Sequence, residues 1–98
     1  MLIHVHVGPT PGGDERGPYA HCEAAIRAIE SSGLAYEVGA LGTTVQGPAD
    51  RLWPLMRELH EATLASGADQ NMTHVRILEA KDDRYEASMS DLAARITH

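Results

Sequence analysis

Ile3-His4-Val5-His6-Val7 alternates β-branched aliphatics with imidazoles. A period of two is the mark of a strand with one buried face, because successive side chains leave a pleated strand on opposite sides. Over Leu2–Val7 the pattern sets Ile3, Val5 and Val7 on one side and Leu2, His4 and His6 on the other. The same pattern returns late in the chain. Over Asn71–Leu78, Thr73, Val75 and Ile77 alternate with Met72, His74, Arg76 and Leu78. The aliphatic faces call for a helical layer, and the imidazoles are left on the opposite side.

The chain between these strands supplies that layer. Gly8–Pro18 holds three Pro and four Gly and reads as a flexible crossover loop. It is glycine-rich but lacks the Gly-Lys-Ser/Thr ending of a phosphate cradle. Tyr19–Ser32 follows at helical spacing through Cys22, Ala25, Ile26 and Ile29, with Pro18 expected in its first turn and Gly33 as its cap. Ala35–Val38 and Thr43–Gln46 read as two short strands around a glycine-bearing turn. Pro48–Gly67 reads as a second helix, with Asp50 as N-cap, Gly67 as C-cap, and Leu52, Leu55, Met56, Leu59 and Ala62 as its buried stripe. Pro54 lies close enough to its start to be tolerated. Asp83 is placed to cap a last helix carrying Tyr85, Met89, Leu92 and Ile96 on one face.

The order is strand, helix, strand, strand, helix, strand, helix. It predicts an α+β fold, a ferredoxin-like βαββαβ sandwich with an additional C-terminal helix, as a single domain over residues 1–98. In that topology the first and last strands are neighbours, so His4 or His6 comes near His74. Ile3, Val5, Val7, Val75 and Ile77 then face the helices, and His4, His6, His74, Arg76 and Met72 share the open face.

Composition narrows the function. Ninety-eight residues allow one core, and with no Phe, one Trp and three Tyr that core is aliphatic, the kind often reinforced by self-association. A formal charge of −6 argues against a nucleic-acid grip, which needs a basic surface. Cys22 is the sole cysteine, so no internal disulfide forms. No signal-peptide pattern and no run of roughly 18 apolar residues is present, so a cytoplasmic setting without membrane contact is expected. Cys22 reads as a small core residue and His60 as boundary packing. No nucleophile elbow, P-loop or dinucleotide fingerprint occurs, and nothing assembles into a catalytic constellation.

Six histidines are many for this length, and three uses of the imidazole-bearing face compete. It is an interface filled by flat, modestly polar rings, or a surface that hydrogen-bonds a ligand, or a metal site built on His4, His6 and a ligand from the neighbouring strand. Against the metal, no Cys or carboxylate recurs at metal-ligand spacing, and no metal or cofactor is expected.

The stretch from Gly33 to Arg84 resembles the small thiamine-binding protein family, also known as UPF0045. The resemblance rests on Tyr36-Glu37-Val38 and Gly42-Thr43 at the hairpin, His60-Glu61-Ala62 followed by Gly67-Ala68-Asp69, the alternating last strand, and Asp83-Arg84 after it. It implies a non-enzymatic ferredoxin-like subunit that associates through its sheets into dimers and then tetramers. It also implies that the subunit holds thiamine or its hydroxymethylpyrimidine part. For such a ligand Tyr36 and Glu37 suit the thiazolium cation, while Gly42, Thr43 and Thr44 suit the aminopyrimidine edge. With His6 from the first strand, these form the expected binding set, although Tyr36 and Glu37 point to opposite faces of their strand. Two features depart from the family. The segment after the first strand carries Pro, Gly and charges where relatives carry hydroxyls, and Gln70 stands where relatives have an arginine. His4, His6 and His74 map onto no family motif. A structural or regulatory oligomer without a small ligand, and a metal-binding protein using the histidine face, are the alternative readings.

Overall fold

A computed structural model describes residues 1–81, and the expected C-terminal helix over 83–96 lies outside the described residues. The elements are β1 (Leu2–Thr10), α1 (Ala20–Ser31), β2 (Ala35–Gly39), β3 (Gly42–Gln46), α2 (Ala49–Ala65) and β4 (Gln70–Leu78). They form one four-stranded antiparallel sheet in the order β2-β3-β1-β4. That is the split-βαβ arrangement of a ferredoxin-like sandwich, as the strand and helix periods predict.

The two-sided pleat of β1 is present. Ile3 and Val5 keep 1% and 4% of their surface and join Val45, Ala25, Ile29, Leu52, Leu55 and Leu59 in the core. Val7 and Val75 pack against its margin. Ile77 pairs with Ile3 and so shares the inward parity, yet 44% of it is exposed because β4 is an edge strand. On the other side, Leu2 is buried, His4 half-buried and His6 exposed.

Several local expectations are corrected. β1 continues through Gly8 and Pro9 to Thr10, paired with β4 as far as Gln70. Its pairing with β3 ends at Val5, so beyond that point one edge is unpaired among the described residues. Pro9, which has no N–H to give a ladder, is admissible on such an edge. Pro18 stands outside α1, whose N-cap is Tyr19. Pro48, not Asp50, precedes α2, and Asp50 lies in the first turn, where a carboxylate favours the positive end of the helix. The buried stripe of α1 runs through Ala20, His21, Ala24, Ala25 and Ile29, one residue out of phase with the expected set. Cys22 and Ile26 are therefore half-buried at its margin.

The crossover loop is tied down. Asp14 and Gly17 exchange two backbone hydrogen bonds of 3.0 Å, closing a tight turn. Within it Arg16 pairs with Asp14, Nη2 to Oδ2 at 2.7 Å, and donates to the Ser66 carbonyl at 2.6 Å. A guanidinium thus meets a free carbonyl at the end of α2, where the helix dipole favours a cation.

Candidate functional site

The strand registers set four side chains in one row across the open face. Glu37 on β2 pairs with Thr44 on β3, Thr44 with His4 on β1, and His4 with Arg76 on β4. A carboxylate, a hydroxyl, an imidazole and a guanidinium therefore cross the sheet in order. The row offers an anion at one edge, a cation at the other, and neutral donors and acceptors between them. One row away, His6 pairs directly with His74, their ring centroids 6.1 Å apart and the planes tilted by 37°.

Gly42 explains where the His4 ring goes. A Cβ built there would lie 2.6 Å from His4 Cε1 and 2.8 Å from His4 Nε2. The imidazole leans from β1 over the start of β3, occupying space that only a glycine leaves open. Its φ of +151° also suits glycine better than any residue with a side chain.

The expected binding residues divide between the two faces. Glu37, Gly42, Thr44 and His6 lie on the open face. Tyr36 pairs with Val45 and Thr43 with Val5, so both have the parity of the helix side. Thr43 is 5% exposed beneath the helices, while Tyr36, on the edge strand, keeps 39% of its surface. Tyr36 and Thr43 therefore cannot meet the same ligand as Glu37 and Thr44 within one subunit. The alternation is strict and β2 and β3 pair without a break from Ala35 to Gly39.

Two other polar centres lie on the helix side. His21 is 1% exposed, and its Nδ1 is 2.7 Å from Ser66 Oγ. Arg16 Nη2 also donates to that hydroxyl at 3.2 Å, so loop, α1 and α2 meet on one serine. Composition gave no warning of this imidazole; the signal was its place four residues before Ala25 and eight before Ile29. The other centre joins His60 on α2 to β4. His60 Nδ1 lies 2.5 Å from Thr73 Oγ1, and Asn71 Nδ2 donates to Thr73 Oγ1 at 3.0 Å. His60 is thereby engaged in packing, in keeping with the boundary role expected of it. Burial pushes the Cys22 thiol above its usual range, which disfavours the reactive thiolate.

Among the described residues no group of three or more His, Cys, Asp or Glu is placed to hold a metal. The tripod of His4, His6 and a third such ligand does not form, because the His4 ring is turned toward Gly42. No helix among the described residues is long and apolar enough to cross a membrane.

The model of the thiamine-binding protein family matches residues 4–96. The chain belongs to that family. A UPF0045 protein of Clostridium perfringens is 30% identical over 67 residues, covering 68% of this chain and 70% of that protein. A UPF0045 protein of Methanothermobacter thermautotrophicus is 30% identical over 69 residues, covering 69% of this chain and 66% of its own length. Among solved structures, a Methanocaldococcus jannascii protein of unassigned function superposes with a TM-score of 0.81 at 23% identity, covering 98% of this chain and 94% of that one. A Thermotoga maritima protein, provisionally assigned to thiamine biosynthesis or salvage, superposes with a TM-score of 0.78 at 20% identity, covering 97% and 96%. At those identities the two superpositions establish the fold alone.

Proposed function

We propose that this family member is a cytoplasmic, non-catalytic binding protein for thiamine or its hydroxymethylpyrimidine part, and that it acts as a homo-oligomer. The carrying observation is the row Glu37–Thr44–His4 beside Gly42 on the open face of a thiamine-binding-family sheet. In this reading the Glu37 carboxylate receives the thiazolium. Thr44, the Gly42 backbone and the His4 and His6 rings meet the aminopyrimidine edge, which presents both donors and acceptors. Tyr36 and Thr43 are left to pack the hairpin against the helices.

The same row supports self-association in the absence of ligand, with the partner's Arg76 and the thiazolium competing for Glu37. A two-fold axis parallel to the strands lays β2 of one subunit over β4 of the other, so that Glu37 faces the partner's Arg76 at both ends. Such a row is self-complementary under the symmetry that dimers use most often.

Calorimetric titration with thiamine and with hydroxymethylpyrimidine tests the ligand reading. Both are expected to bind. Glu37→Gln is expected to weaken thiamine by about tenfold, the size of one charge-assisted contact, and to leave the uncharged pyrimidine unaffected. An absence of binding by either compound at millimolar concentration refutes the ligand reading, and an equal loss for both refutes the role of Glu37.

A further inference from the structure

The His6–His74 pair lies one row beyond Glu37–Thr44–His4, where β1 has lost β3 as a neighbour among the described residues and continues as a two-stranded ribbon with β4, so that only His6 is shared with the proposed ligand set. Both rings are exposed, and among the described residues neither carries a hydrogen bond. A third donor has the same parity. Met72 precedes His74 by two residues, is 65% exposed, and pairs with Gly8, which sets no side chain opposite it. The ribbon therefore presents two imidazoles and a thioether on one open surface.

The spacing discriminates between metals. With metal–nitrogen bonds of about 2 Å, a ligated imidazole centroid lies about 3.1 Å from the ion, giving about 5 Å between centroids for a tetrahedral ion and about 6 Å for a linear one. The observed 6.1 Å fits the linear case, once each exposed ring turns about χ2 to aim a nitrogen into the gap. Linear or nearly linear coordination by two neutral nitrogens is the habit of a d10 monovalent ion, and a thioether as added donor selects the same soft ion. The charged groups in the neighbouring row on this face are Arg76, two residues beyond His74, and Glu37 at the far edge. A monovalent cation is repelled by Arg76 less than a divalent one is.

We propose that His6 and His74, with Met72 as a third donor, form a copper(I) site at the free end of the β1–β4 ribbon. The site does not rest on thiamine binding, and it is tested without thiamine.

The test is anaerobic titration of the full chain with copper(I) against a chromogenic chelator, comparing the wild type with His6→Gln, His74→Gln and Met72→Leu. All three positions are exposed, so the variants are expected to fold, and circular dichroism checks that they do. The protein is expected to withdraw one equivalent of copper from the chelator. Each histidine variant is expected to bind about tenfold or more weakly, since the second imidazole acts as a tethered ligand at millimolar effective concentration. Met72→Leu is expected to weaken copper(I) binding by less than either histidine variant does. Failure of the wild type to withdraw copper, or histidine variants that bind as the wild type does, overturns the proposal. A Met72→Leu variant with undiminished copper affinity overturns the thioether's part in it.

Discussion

Replacing Gly42 by alanine tests the placement of His4 on the open face. The added Cβ would stand 2.6 Å from the Val5 carbonyl oxygen and 2.6 Å from His4 Cε1, at a φ of +151°. The imidazole is half-buried and can swing aside. The Val5 carbonyl belongs to a central strand and moves only with the sheet. The backbone conformation costs a residue with a side chain about 1–3 kcal/mol, and relieving the contact with fixed main chain costs about 1–3 more. A loss of about 3 kcal/mol, in the lower half of the combined range of about 2–6, is a large part of the roughly 5–15 kcal/mol that holds a domain folded. It lowers the midpoint of thermal unfolding by about 12–24 °C for a chain of this size. Urea unfolding of Gly42→Ala, His4→Ala and the double variant measures it. The double variant is expected to regain only the smaller share of the loss, because the Val5 clash persists. A Gly42→Ala loss below about 0.5 kcal/mol, the range of an unconstrained surface change, would refute the geometry.

Ser66→Ala removes the hydroxyl that meets the buried His21 ring and is expected to cost about 1–3 kcal/mol in urea unfolding; an unchanged midpoint would mean the imidazole is satisfied otherwise. The Arg16 side chain, by its hydrogen bonds, holds the Asp14 carboxyl at about 2 against an ordinary 3.8. The folded-state value lies below the unfolded one, so the stability this group contributes is full above about pH 4 and is lost as pH falls through 2. Carboxyl carbon shifts followed by NMR should show Asp14 titrating near 2 in the wild type and higher in Arg16→Gln, though still below 3.8 because the backbone N–H of residue 16 continues to donate to Oδ1; a midpoint unaffected by the substitution would contradict the pairing. Arg76→Glu opposes like charges across the proposed two-fold and is expected to weaken self-association about tenfold, with Glu37→Arg in the same chain restoring it. Sedimentation velocity reads this directly, and failure of the double reversal to restore mass would exclude that arrangement of subunits.

The sheet was legible because period-two alternation in β1 and β4 left one register that buries Ile3, Val5 and Val45. That register places His6 opposite His74 and separates Glu37 from Tyr36. Helix phase was harder to read. Cys22, Ala25, Ile26 and Ile29 fit a helical stripe as well as His21, Ala24, Ala25 and Ile29 do, and apolar character favoured the wrong set. His21 holds a core position because Ser66, brought there by α2, takes its ring nitrogen; a partner 45 residues away leaves no local trace. Pro and Gly content predicts a flexible loop over residues 8–18, whereas β1 runs on to Thr10 and Arg16, reaching the end of α2, fixes the rest. The division of the candidate ligand residues followed from pleat parity for Tyr36 and Glu37. For Thr43 and Thr44 it required the register, since both are ordinary β-formers after a turn.

Chemical-shift mapping of isotopically labelled protein during titration with thiamine tests the central claim most directly. The largest changes are expected at Glu37, Gly42, Thr44, His4 and His6, with Thr43, His60 and the outer face of α2 unmoved. Saturable changes centred on the helical side, with the row from Glu37 to His4 unaffected, would contradict it.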